Sequence, residues 1–138
     1  MEVLMATAGN TYTVILKKAH LEWGTHRYTG TRSQIYGEGY LPIPKARAIA
    51  FGVYNSNQTG GTDVLGVNIF NCTSVDGLFS GQLKAQGSSG QGDVYAKQFS
   101  ANNDLQALGF WYSAIGAQIG DKVKVTWTST TDLTIEKI

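Results

Sequence analysis

Asp121–Thr128 reads DKVKVTWT, with Val123, Val125 and Trp127 at alternate positions and Lys122, Lys124 and Thr126 between them. Successive side chains of an extended chain point to opposite sides, so strict alternation marks a strand with one dry face and one wet face. The same reading extends along the chain. Leu133–Ile138 (LTIEKI) supplies a strand downstream. Upstream lie Val94–Ser100 (VYAKQFS), Leu78–Ala85 (LFSGQLKA), Asp63–Phe70 (DVLGVNIF), Tyr40–Pro44 (YLPIP) and Thr11–Lys17 (TYTVILK). The prolines of Tyr40–Pro44 end that run, because proline has no N–H to give a ladder. The count is about seven short strands, divided by Gly, Asn and Ser turns and lacking a long helical period.

Two helical pieces interrupt the strands. Lys45–Ala50 (KARAIA) follows Pro44, a favoured starting residue. Asn103 or Asp104 caps a second helix, in which Leu108, Trp111 and Ile115 share a face and Gly116 fits the C-terminal end. Trp111 and Tyr112 are open to reading as a platform for stacking bases, but their spacing favours core packing. The expected fold class is all-β with two short helices, in one domain spanning residues 1–138.

At 138 residues, 42% of them hydrophobic, the chain has room for one core and is not a disordered polymer. Seventeen glycines against two prolines suit many tight turns. No apolar run approaches the roughly 18–20 residues of a membrane span. The opening MEVLMATAGN lacks the basic start and apolar stretch of a secretory signal, so a soluble intracellular domain is expected. Cys72, the single cysteine, excludes an internal disulfide and a multi-cysteine zinc site.

Catalytic constellations are missing as well. A metal-dependent nuclease needs clustered carboxylates with a lysine, whereas the acids here are scattered, and Glu136-Lys137 reads as surface charge. His20 and His26 stand in a loop with only Glu22 between them, a poor ligand set, and neither opens a His-x-Lys element. Cys72 is flanked by strand-like apolar residues, which suits a buried thiol more than a nucleophile. No glycine-rich stretch reads Gly-x4-Gly-Lys-Ser/Thr. We expect no catalytic centre, no metal and no cofactor in this chain.

Net charge is +1, but its distribution is uneven. Lys17, Lys18, Arg27, Arg32, Lys45 and Arg47 are six of the eleven basic residues, and only Glu22 and Glu38 lie among them. Such a local excess forms either a basic patch or an ordinary solvated surface. Two long polar excursions break the strand pattern, His20–Gly39 and Ala85–Phe99. Loops of that length in a small domain are usually functional or disordered. The first holds Trp23, His26, Arg27, Tyr28, Arg32, Ser33, Gln34 and Tyr36. Arginine donates to guanine and to phosphate, while glutamine and asparagine pair with adenine.

Three stretches in order carry a resemblance. They are Val14–Ala19 (VILKKA), a polar loop and the return Gly39–Lys45 (GYLPIPK); Val94–Gly109 (VYAKQFSANNDLQALG); and Gly120–Val125 (GDKVKV). Together they resemble the B3-like DNA-binding domains of restriction endonucleases, relatives of the plant B3 transcription-factor domain. That group includes effector domains of the EcoRII type and recognition domains joined to phospholipase-D-like nucleases. The resemblance covers residues 11–138 and implies a seven-stranded pseudobarrel with two short helices. It also implies two arms that enter the major groove of duplex DNA, an N-arm at Glu22–Gly37 and a C-arm at Gln86–Phe99. By position, Arg27, Arg32 and Gln34 of the N-arm and Tyr95, Lys97 and Gln98 of the C-arm are the expected base contacts. Lys18, Ser33, Lys45 and Ser88 are the expected phosphate contacts. Because Tyr95 and Lys97 alternate with Ala96 and Gln98, a regular strand turns one of these pairs inward. The C-arm has one cation, Lys97, opposed by Asp93, which implies either a lower affinity or amide-led readout.

On this reading the partners are double-stranded DNA and a nuclease domain of the same polypeptide, in a prokaryotic cytoplasm. A competing reading is a carbohydrate- or protein-binding β-sandwich, supported by three Trp, seven Tyr and abundant Gly, Ser, Asn and Thr.

Overall fold

The computed structural model describes residues 5–21, 39–56, 63–87, 94–102, 104 and 106–138. Its strands are β1 (Thr11–Ile15), β2 (Leu41–Pro42), β3 (Ile69–Ser74), β4 (Ser80–Gln86), β5 (Gln98–Ala101), β6 (Lys122–Trp127) and β7 (Asp132–Lys137). They form one seven-stranded sheet in the order β1-β6-β7-β3-β4-β5-β2. Neighbours are antiparallel except β3 and β7, which run parallel. A helical turn, Lys18–Leu21, follows β1; the helices Lys45–Phe51 and Ala107–Ala114 follow β2 and β5. The sheet curls into a nearly closed barrel, so the expected seven-stranded pseudobarrel is the observed architecture. One continuous sheet takes the place of the two stacked sheets of a sandwich.

Alternation builds the core. Tyr12 and Val14 on β1 face inward with Val123, Val125 and Trp127 on β6 and Leu133 and Ile135 on β7. Phe70 and Cys72, Leu83 and Ala85, and Phe99 and Ala101 continue the dry face across β3, β4 and β5. Trp127 sits at the centre, its ring centroid 5.5 Å from Phe51, 5.7 Å from Phe70, 6.1 Å from Tyr12 and 6.4 Å from Phe99. The barrel closes differently from its other joints. Between β1 and β2 there is no ladder, because β2 is two residues long and Pro42 has no N–H to donate. Side chains bridge the seam instead: Tyr12 Oη donates to the Pro42 carbonyl at 3.0 Å. Nearby, Tyr112 Oη, from the helix Ala107–Ala114, donates to the Tyr40 carbonyl at 2.7 Å. Burial raises the pKa of both phenols, so they stay protonated as donors.

Two expectations need correction. The third strand is Ile69–Ser74 rather than Asp63–Phe70. Gly66 takes φ +89°, and the Val64 carbonyl accepts N–H groups from Val67, Asn68 and Ile69, so this stretch coils into a turn. Asn68 Oδ1 closes it by accepting the Val64 N–H at 2.7 Å. The second helix begins at Ala107, with Gln106 as its N-terminal flanking residue and no side-chain cap. Asp104 Oδ1 accepts the Gln106 N–H at 3.1 Å, which makes a turn before the helix instead of capping it. Asn103 lies outside the described residues. As their spacing indicated, Trp111 and Tyr112 belong to the core, 1% and 2% exposed.

Candidate functional site

The two polar excursions leave the barrel from stems that the structure describes. Leu21 and Gly39 bound the first, residues 22–38. Its stem is drawn together by the Tyr40 N–H, which donates to the His20 carbonyl at 3.0 Å. His20 is itself held by the Lys17 N–H, which donates to its Nδ1 at 2.9 Å. Accepting there requires a neutral imidazole. Partial burial and the Lys17 charge both lower the His20 pKa, which favours that form. On the other side of the stem Gly39 packs on Gly109, where a Cβ would stand 2.7 Å from the Gly109 nitrogen.

Of the second excursion, expected over Ala85–Phe99, Ala85 and Gln86 belong to β4 and Gln98 and Phe99 to β5; residues 88–93, between Gly87 and Val94, lie outside the described residues. Asn55 crosses its base: Asn55 Oδ1 accepts the Gly87 N–H at 2.8 Å, and the Asn55 N–H donates to the Val94 carbonyl at 2.9 Å. Gly87 is also a close approach, since a Cβ there would lie 3.1 Å from Asn55 Nδ2. Tyr54 and Tyr95 pair as an isolated bridge and stack with centroids 5.3 Å apart.

At Lys97 the strand slips. Gln98 is the register partner of Gln86, yet the Lys97 N–H donates to the Gln86 carbonyl at 2.8 Å. Two residues thus oppose one, as at a β-bulge, and bulges re-aim side chains. Ala96 and Phe99 point inward, Lys97 is exposed, and Tyr95 and Gln98 are half-exposed. The choice that a regular strand would force between the Tyr95–Lys97 and Ala96–Gln98 pairs does not arise.

β2 and β5 are antiparallel neighbours, with Leu41 opposite Phe99 and Pro42 opposite Gln98. The chain therefore enters β2 and β5 from opposite ends of one short ladder. Three to six residues of the segment Val94–Ala101 separate the stems, roughly 10–20 Å at about 3.3 Å per residue. Between the stems, the Ile43 N–H donates to the Lys97 carbonyl at 2.8 Å, and Lys45 and Arg47 follow as exposed residues of the helix Lys45–Phe51.

Of the expected base contacts, Tyr95, Lys97 and Gln98 come together at the second stem, and Lys45 lies near them. Lys18 opens the helical turn after β1. Arg27, Arg32, Ser33, Gln34 and Ser88 lie outside the described residues. Tyr54 and Asn55 escaped the sequence reading because only tertiary pairing brings them to the stem. Gln86 had a usable signal: Gln82, Lys84 and Gln86 alternate with buried Leu83 and Ala85.

Elsewhere, an open groove of about 440 Å³ crosses the outer face of β7, β3 and β4. Amides hand hydrogen bonds along it: Asn102 Nδ2 to Gln82 Oε1, Gln82 Nε2 to Asn71 Oδ1, and Asn71 Nδ2 to Asp132 Oδ1. Cys72 is buried beneath, and burial pushes its thiol pKa far up, which keeps it protonated. Among the described residues, no three His, Cys, Asp or Glu side chains gather as metal ligands, and no helix is long and apolar enough to cross a membrane. Comparison with protein-family models, curated proteins and solved structures gave no match for this chain.

Proposed function

We propose that this chain binds double-stranded DNA sequence-specifically through two loop arms in the major groove, as the recognition domain of a restriction endonuclease. The observation that carries the reading is the pair of stems on neighbouring strands β2 and β5. Each is pinned by a backbone hydrogen bond and a glycine contact; Lys97 is exposed beside the second stem, and Lys45 and Arg47 are exposed on the helix that follows β2. Stems roughly 10–20 Å apart match the scale of a major groove about 12 Å wide. The arms themselves, with Arg27, Arg32 and Gln34 on the first, supply base contacts; Lys18, Ser33, Lys45 and Ser88 hold phosphates. The nuclease activity belongs to another domain of the same polypeptide in a prokaryotic cytoplasm, and this chain is not itself the enzyme.

Selection of bound duplexes from a randomised pool tests the proposal, and a defined motif is expected. With that motif, roughly four to six phosphate contacts give a slope of log K against log salt near −4 to −5. Arg27→Ala or Arg32→Ala costs about 1–3 kcal/mol and relaxes preference at one base position. A flat salt response, or unchanged binding by both variants, contradicts this.

The outer-face groove favours a second reading. Its hydroxyls and ordered amides suit a hydroxylated ligand such as a carbohydrate. Competition by soluble glycans and indifference to DNA would select it.

A further inference from the structure

We infer that Gln86, oriented by Ser100, reads one base as a hydrogen-bond donor and so selects guanine. This rests on the duplex-binding reading and adds Gln86, the strand residue at the start of the expected C-arm, to the base contacts expected there.

Gln86 ends β4 and directly precedes Gly87, where the second excursion leaves the barrel. Its side chain is half-exposed on the outer face, level with Gln98 across the ladder. Ser100 lies on the same face of β5 but is only 1% exposed. Its Oγ donates to Gln86 Oε1 at 2.9 Å.

A buried hydroxyl has to place its proton. Here that proton goes to Gln86 Oε1, which sets the carbonyl end of Gln86 toward the sheet. Ser100 is thus a positioning residue, and Nε2 with its two hydrogens is the end presented outward.

An unconstrained glutamine recognises adenine by using both ends, accepting from N6 and donating to N7. Gln86, with Oε1 turned to Ser100, directs its Nε2 donors away from the sheet. Guanine sets two acceptors side by side in the major groove, N7 and O6; thymine offers one, O4, beside its methyl group, and adenine and cytosine oppose a donor with their own amino groups. The two-against-one slip beside it turns out Lys97, a second donor group, at the same place. Both therefore favour the same base edge.

The test uses the duplex selected from the randomised pool and reads Kd by fluorescence anisotropy. Replacing each guanine in turn by 7-deazaguanine, which lacks the N7 acceptor, weakens wild-type binding roughly 5- to 150-fold at one position. Gln86→Ala and Gln86→Glu, which remove the donors, show that loss on unmodified DNA and no further loss from 7-deazaguanine at that position. Ser100→Ala frees the amide, so adenine becomes tolerated there. The wild-type measurement with modified DNA needs no variant to fold. If Gln86→Ala binds within about twofold of wild type with unchanged preference, or weakens on all sequences equally, Gln86 is not a base reader, although the duplex reading survives. If wild type selects no duplex at all, the duplex reading itself fails and this inference goes with it.

Discussion

Trp127 and Trp111 are both buried, yet their indole N–H groups end differently. Trp111 Nε1 donates to the Asp76 carboxylate, 3.1 Å from Oδ2. Desolvation raises the Asp76 pKa, but hydrogen bonds from Ser74 Oγ, the Leu78 N–H and the Trp111 indole together outweigh it and hold the carboxyl below its ordinary range. Trp127 Nε1 has no hydrogen-bond partner among the described residues. An unsatisfied buried donor costs about 1–3 kcal/mol. Replacing either indole by phenylalanine removes a similar volume, so the difference isolates the N–H. Urea unfolding should find Trp127→Phe less destabilising than Trp111→Phe by about 1–3 kcal/mol. Equal losses would mean that packing alone decides both sites.

At the level of elements, the stems are the parts that matter. Gly39→Ala forces a Cβ against the backbone of Gly109 rather than a yielding side chain, so it should destabilise the fold by about 1–3 kcal/mol in the same assay. A neutral effect would show that the helix Ala107–Ala114 is free to move away from the stem. The first stem also carries a pH dependence. His20 has a lowered pKa in the folded chain, so between that value and the ordinary 6.5 the unfolded chain binds more protons. The stability it contributes is complete above 6.5 and is lost as pH falls toward the folded value, with the Lys17 N–H facing a protonated ring. Thermal unfolding from pH 8 to pH 5 should show this loss, and His20→Gln should flatten that part of the curve. Much of this level was legible in sequence, because β6 and β4 write their burial as alternation. β3 was displaced in the reading, since Gly66 and Asn68 convert an apolar-looking run into a turn. The slip at Lys97 left no local signal; it depends on how β5 meets Gln86 and Ile43.

The whole molecule is governed by its strand order. Placing β5 beside β2 brings segments 45 or more positions apart in sequence onto one edge, and the proline-bearing β2 leaves the seam to tyrosine bridges. Strand count and fold class were open to periodicity, but this order is not, because alternation says which face a residue takes and nothing about its neighbours. For the same reason Tyr95, Lys97 and Gln98 were found as a group from one stretch of chain, whereas Tyr54, Asn55 and Ser100 join them only through pairing. Methylation interference on the selected duplex tests the two-arm grip most directly, because methyl groups at guanine N7 project into the major groove. The account predicts interference confined to one face of the duplex, with one subset of positions losing its effect in Arg32→Ala and a different subset in Lys97→Ala. Binding indifferent to N7 methylation at every guanine would contradict it.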